Sequence, residues 1–169
     1  FRGNRPWKSY TRQDVDKALE TAGKYLARAV KPDGSFVYLY DTYRNEQPKG
    51  YNILRHAGAV FSMLELYQRN KVPQLLSSSE RALAFLASRA REGKVSGKPV
   101  GFILEDNEVK LGGNALAILA FAEYQRATGD KRYEKTARGL GSWILATQDP
   151  DGGFSVHKQF YPGGKVSSF

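Results

Sequence analysis

The segment Tyr51-Asn52-Ile53-Leu54-Arg55-His56-Ala57-Gly58 gathers Tyr, Asn, Arg and His within two helical turns. Arginine holds a carboxylate or sulfate through paired N–H donors, and histidine moves protons near neutral pH. The alternative is that Arg55 and His56 tie a loop to a helix start. Upstream, Tyr38-Leu39-Tyr40-Asp41 alternates like a short extended segment, with both tyrosines on one side and an acid beside them. Such rings stack on the C–H face of a sugar, or they cover the rim of a core. Glu105-Asp106-Asn107-Glu108 is followed by Lys110 and Asn114. Glycoside hydrolysis needs two carboxyl groups, about 5 Å or about 6.5–9.5 Å apart according to mechanism. Glu105 or Asp106 is the candidate partner of Asp41, unless that acidic loop is only solvated. His157 and Lys158 add a base and a cation near the end of the chain.

These residues define an expected site. Asp41, His56 and Glu105 would carry protons, and Tyr40, Asn52, Arg55, Lys110, Asn114, His157 and Lys158 would hold the ligand. The cations point to an anionic small molecule or glycan. Other chemistries find less support. With no cysteine and only two histidines, a hundred residues apart, no metal site and no cofactor is expected. Gly112-Gly113-Asn114 lacks the Lys-Ser/Thr that follows the glycines of a phosphate loop. Asp33 and Asp151 sit in Pro-Asp-Gly segments and are read as turn residues.

Five helices are expected to position the candidates. Three are amphipathic: about Asp14 to Val30, about Leu75 to Arg91, and about Lys131 to Gln148. Thr11 with Asp14, and Ser77 with Glu80, have the spacing of capping boxes, and Asp130 is the expected N-cap of the last helix. Between them, His56 to Tyr67 and Asn114 to Tyr124 are apolar nearly all round, as helices covered on several sides are. Tyr25-Leu26, Phe85-Leu86 and Trp143-Ile144 recur at spacings of 60 and 58 residues, and Tyr67-Gln68-Arg69 returns 57 residues later as Tyr124-Gln125-Arg126. Connections into the apolar helices are long and those out of them short, so the long ones are expected on one face, with the N-termini of the apolar helices. Short extended pieces are expected only near Phe36–Tyr40 and Gly101–Glu105.

The 169 residues carry 26 Lys and Arg against 17 Asp and Glu, a formal charge of +9. Arg2, Arg5, Lys8 and Arg12 make residues 1–13 a basic arm, distinct from a helical domain over 14–169. No nucleic-acid motif accompanies the arm, so no nucleic-acid partner is expected. The longest uncharged apolar run, Leu111 to Ala122, has 12 residues, against about 20 for a membrane span. The chain is expected to be soluble and cytoplasmic.

The hairpin register, together with Asp33-Gly34-Ser35-Phe36 and Gln148-x-x-Asp151-Gly152-Gly153-Phe154, resembles the (α/α) toroid class. The last motif is similar to the Gln-x-x-Asp-Gly-x-Trp repeats of triterpene cyclases, with Phe for Trp. The class also includes six-hairpin glycosidases, sugar epimerases, lanthionine cyclases and protein prenyltransferases. The resemblance implies an all-α fold of repeated helical hairpins forming an incomplete toroid. The zinc-dependent members use Cys and His, which this chain lacks as a set, and Asp14-Val15-Asp16-Lys17 departs from the Asp-x-Asp-Asp acid of terpenoid cyclases. The resemblance then leaves the carbohydrate-processing branch, of hydrolase or epimerase type, or a non-catalytic glycan- or protein-binding module. Two and a half hairpins imply a fragment of a longer protein, or self-association through helix 131–148, whose stripe of Leu140, Ile144 and Leu145 is expected to lie open.

Overall fold

The computed structural model describes residues 9–155 and the backbone of 158–160. Helix α1 (Arg12–Ala29) opens on a reciprocal cap: the Thr11 hydroxyl accepts the Asp14 N–H, and the Asp14 carboxylate accepts the Thr11 N–H at 2.8 Å. It ends at the Pro-Asp-Gly turn, where Gly34 has φ +85° and a Cβ would lie 2.2 Å from the Arg81 carbonyl oxygen. Only glycine satisfies both conditions. The second Pro-Asp-Gly segment folds in the same way. Gly152 has φ +87°, and Asp151 accepts the Gly153 N–H as Asp33 accepts that of Ser35.

Helix α2 (Ile53–Asn70) is capped by the Asn52 side chain, which accepts the Arg55 N–H at 3.0 Å, and it stops at Lys71 in the left-handed region. Helix α3 (Pro73–Ser88) starts on Pro73. The expected Ser77/Glu80 capping box is absent, because the helix begins four residues earlier and the Ser77 hydroxyl bonds the Gln74 carbonyl instead. Helix α4 (Leu111–Thr128) ends on Gly129, and helix α5 (Glu134–Thr147) follows. Asp130 does not cap α5. Its carboxylate takes the Arg132 backbone N–H and guanidinium, delaying the helix to Glu134.

The all-α expectation is overturned between α3 and α4. Strands β1 (Ala90–Val95), β2 (Lys98–Glu105) and β3 (Glu108–Lys110) form an antiparallel sheet that β4 (Lys158–Phe160) joins beside β3. The fold is therefore mixed α/β, and the incomplete all-helical toroid does not describe it. Two two-residue turns fold the sheet. Ser96-Gly97 and Asp106-Asn107 both have positive φ at both positions, the geometry that matches strand twist. Pro99 sits opposite Lys94 at the strand position where no N–H is required. Near Phe36–Tyr40 only the single bridge Val30–Phe36 forms, without a strand.

α2 and α4 are the buried pair, packed on each other with α3 and α5 flanking. Six residues of α2 and seven of α4 are buried, against two each in α1 and α5; α3, expected as an outer helix, also buries six. Gly112 and Gly113 let the first turns of α4 and α2 meet; a Cβ on Gly112 would lie 2.5 Å from Leu54. A second apolar cluster joins the sheet to α5 through Val100, Phe102, Val109 and Trp143. That contact corrects the expected open stripe. Leu140 is fully buried and Ile144 half-buried, and only Leu145, 73% exposed, faces outward. The sheet covers part of what was expected to lie open.

Candidate functional site

The long connections bring most of the candidate residues to the N-terminal ends of α2 and α4. Arg55 is exposed, with its guanidinium 5.6 Å from the centre of the Tyr38 ring. Among the described residues it has no ion pair. Tyr38, Tyr51, Asn52 and Arg55 line a cavity of ≈ 170 Å³ that opens beside the first turn of α2. Tyr40 is half-exposed and donates to Asn45.

His56 lies beneath this cavity, 2% exposed, with both ring nitrogens occupied. Its Nε2 is 2.9 Å from the Ala82 carbonyl, which can only accept, so Nε2 carries the hydrogen. Nδ1 is then an acceptor, and the Tyr51 hydroxyl donates to it at 2.7 Å. The same hydroxyl accepts the Phe36 N–H at 2.8 Å. The ring stacks on Phe85, centroids 5.2 Å apart, and meets Phe36 edge-on. Burial lowers the His56 pKa to about 4, outweighing the Ala82 carbonyl, which favours the charged form. This neutral histidine fastens the first long loop to α2 and α3. It is the tethering role weighed above, and it leaves no nitrogen facing a ligand.

Glu105, at the end of β2, is 5% exposed. Its carboxylate accepts the Ile53 N–H at 2.5 Å, at the positive end of α2, and receives the Lys110 ammonium at 2.6 Å. Glu108 lies 3.4 Å from the same ammonium. Burial alone would lower the Lys110 pKa, but the two acids reverse that and raise it. Glu105 and Lys110 therefore neutralise each other while joining the sheet to α2. Asn114, fully buried, completes the joint: its carbonyl oxygen accepts the Ile103 N–H at 2.9 Å and its amide donates to the Lys110 carbonyl at 2.8 Å.

Asp41 is half-buried and serves its own turn, accepting the Tyr43 and Arg44 N–H groups at 2.9 and 3.1 Å. Of the remaining candidates, His157 lies outside the described residues, as do Arg2, Arg5 and Lys8 of the basic arm, and Lys158 is described only as backbone of β4. Sequence reasoning passed over Tyr51 as the central hydroxyl of the loop tether. It also passed over Glu123, a carboxylate 6% exposed on α4 that receives Arg126 at two positions and the Gln68 amide. The available signal was a lone acid inside an otherwise apolar helix. Among the described residues no group of three or more His, Cys, Asp or Glu is placed to hold a metal, and no helix is long and apolar enough to cross a membrane.

The fold has a counterpart among solved structures. The crystal structure of a sugar epimerase from a ruminal bacterium matches with a TM-score of 0.66 and 19% sequence identity. The match covers 86% of this chain and 40% of the epimerase chain, so the likeness is one of fold over less than half of that enzyme. No family model and no curated protein sequence matches.

Proposed function

We propose that this chain belongs to a carbohydrate-processing enzyme of epimerase or hydrolase type, and that the long-loop face holds an anionic sugar. The observation that carries the reading is Arg55: an exposed guanidinium without an acid partner among the described residues, braced on Tyr38 at the mouth of a small cavity, at the positive end of α2. Arg55 takes the carboxylate or sulfate. The Asn52 amide and the Tyr51 edge bound the cavity, and Tyr38 and Tyr40 offer ring faces to the sugar. The fold likeness to a sugar epimerase is consistent with this choice of ligand.

A non-catalytic glycan-binding module is the second reading, and one observation favours it. His56 and Glu105, expected to move protons, are both committed to bonds that hold the fold. Incubation with a uronic acid, and with an oligosaccharide of it, in D2O separates the readings. An epimerase that passes through a carbanion or enol exchanges a carbon-bound hydrogen for deuterium, a hydrolase shortens an oligosaccharide without that exchange, and a module does neither. Loss of Arg55 in Arg55→Ala should weaken binding of the acidic sugar about tenfold, near 1.4 kcal/mol, the lower end for a charge-assisted contact at an exposed site. Unchanged affinity overturns the proposal.

A further inference from the structure

A second groove lies away from the long-loop site. This groove runs between the β1–β2 hairpin and α5, with a volume of ≈ 770 Å³, within the range of ligand sites. Its floor is bare because three positions carry no side chain. Gly101 and Gly139 approach so closely that a Cβ on either would lie 3.2 Å from the other's backbone, and Gly93 lies over the Phe102 ring. Its rim is cationic. Arg91, Lys94, Lys135 and Arg138 surround it; Lys135 pairs with Glu92 at 3.1 Å in open solvent, and Arg138 pairs with Glu134 at 2.7 Å. Arg91 and Lys94 have no acid partner among the described residues.

We infer that this groove binds a stretch of anionic polysaccharide, so that the ligand of the protein is a polymer rather than a free sugar. The inference rests on the acidic-sugar reading for its choice of polymer, and on the groove alone for its place. Bare backbone lets a pyranose ring lie close, the Pro99 ring offers apolar contact to its C–H face, and Thr136 and Ser142 supply hydroxyls. Arg91 and Lys94, with the solvent-exposed Lys135 and Arg138 pairs beside them, match carboxylates or sulfates repeated along a chain.

Other polyanions fit less well. An acidic peptide adding to the β1 edge would find the Ala90 carbonyl already taken by the Arg91 guanidinium at 2.7 Å and the Glu92 carboxylate opposing it. A single-stranded nucleic acid would find no aromatic ring in the lining on which to stack a base.

The test compares polygalacturonate with galacturonic acid by titration calorimetry and NMR at fixed salt. The proteins are the parent, the double variant Lys94→Glu/Lys135→Glu in the groove, and the control Lys17→Glu/Lys24→Glu on exposed α1, which changes net charge equally. The expected result is polymer binding at least tenfold tighter than monomer. That gain should vanish in the groove variant and persist in the control, with monomer binding at Arg55 unchanged throughout. Equal loss in both double variants makes the effect one of net charge and overturns the inference. So does equal affinity for polymer and monomer, or binding of poly-glutamate or single-stranded DNA as tight as that of polygalacturonate. Failure of the monomer to depend on Arg55 would sink the long-loop reading instead, leaving the groove result to stand by itself.

Discussion

Acid should loosen this protein through His56 in particular. The histidine is neutral when folded, with a pKa of about 4, and has an ordinary value of 6.5 when unfolded. Between those values the unfolded chain binds the extra proton. Stability is therefore full above pH 6.5 and falls as pH drops toward 4. At pH 4.5 the unfolded form is stabilised about hundredfold by protonation and the folded form hardly at all, so the loss is about 2.5 kcal/mol. Urea unfolding at pH 7.5 and pH 4.5 measures it, with His56→Gln as the reference that lacks the titration while other acids respond as before. The parent should lose about 2.5 kcal/mol more than the variant over that interval. Nitrogen-15 NMR of the parent imidazole gives an independent reading, with the hydrogen on Nε2 and no protonation until near pH 4. Parallel losses in parent and variant, or an imidazole midpoint near 6.5, would refute the tethered, neutral histidine.

Two further substitutions probe the joints of the fold. Asn114→Leu leaves the buried Ile103 N–H and Lys110 carbonyl without their partner; the expected cost is about 2–4 kcal/mol in chemical unfolding, and a change below about 0.5 kcal/mol would show that Asn114 is not the clasp described. Gly139→Val drives methyl groups into the Gly101 backbone, a 3.2 Å approach already at Cβ. It should cost about 1–3 kcal/mol and prise the hairpin from α5, seen as faster amide exchange in β1 and β2; unchanged exchange would contradict the contact.

Much of the helical frame was legible because burial leaves a strong periodic mark. The all-round apolarity of Val60, Met63 and Leu64 in one helix, and of Ala117, Ala120 and Phe121 in the other, identified the buried pair. Thr11 with Asp14, Gly129, and both Pro-Asp-Gly turns behaved as their chemistry requires. The sheet was mostly hidden. β1 reads Ala-Arg-Glu-Gly-Lys-Val, without alternation, because it is an edge strand exposed over most of its length. Its visible signal was the Ser96-Gly97 turn, where two consecutive residues fold back with positive φ. The candidate residues were legible as a group, and the bonds they make were not. Arg55, His56, Glu105 and Asn114 do gather at the same helix ends, but a sequence does not tell a histidine aimed at a ligand from one aimed at the Ala82 carbonyl 26 residues away. Glu105 likewise found its partner in the Ile53 N–H, 52 residues distant.

The central claim is that an anionic sugar binds at the N-terminal end of α2 beside Arg55. Amide NMR of the protein titrated with glucuronic acid, with glucose as the neutral control, tests it most directly. The account predicts shifts at Val37, Tyr38 and Asn52 with the acid and much smaller ones with glucose, and in Arg55→Ala the acid should need about tenfold higher concentration to produce them. Shifts centred instead on the opposite, short-turn end near Asn70 and Thr128, or equal responses to the acid and to glucose, would contradict it.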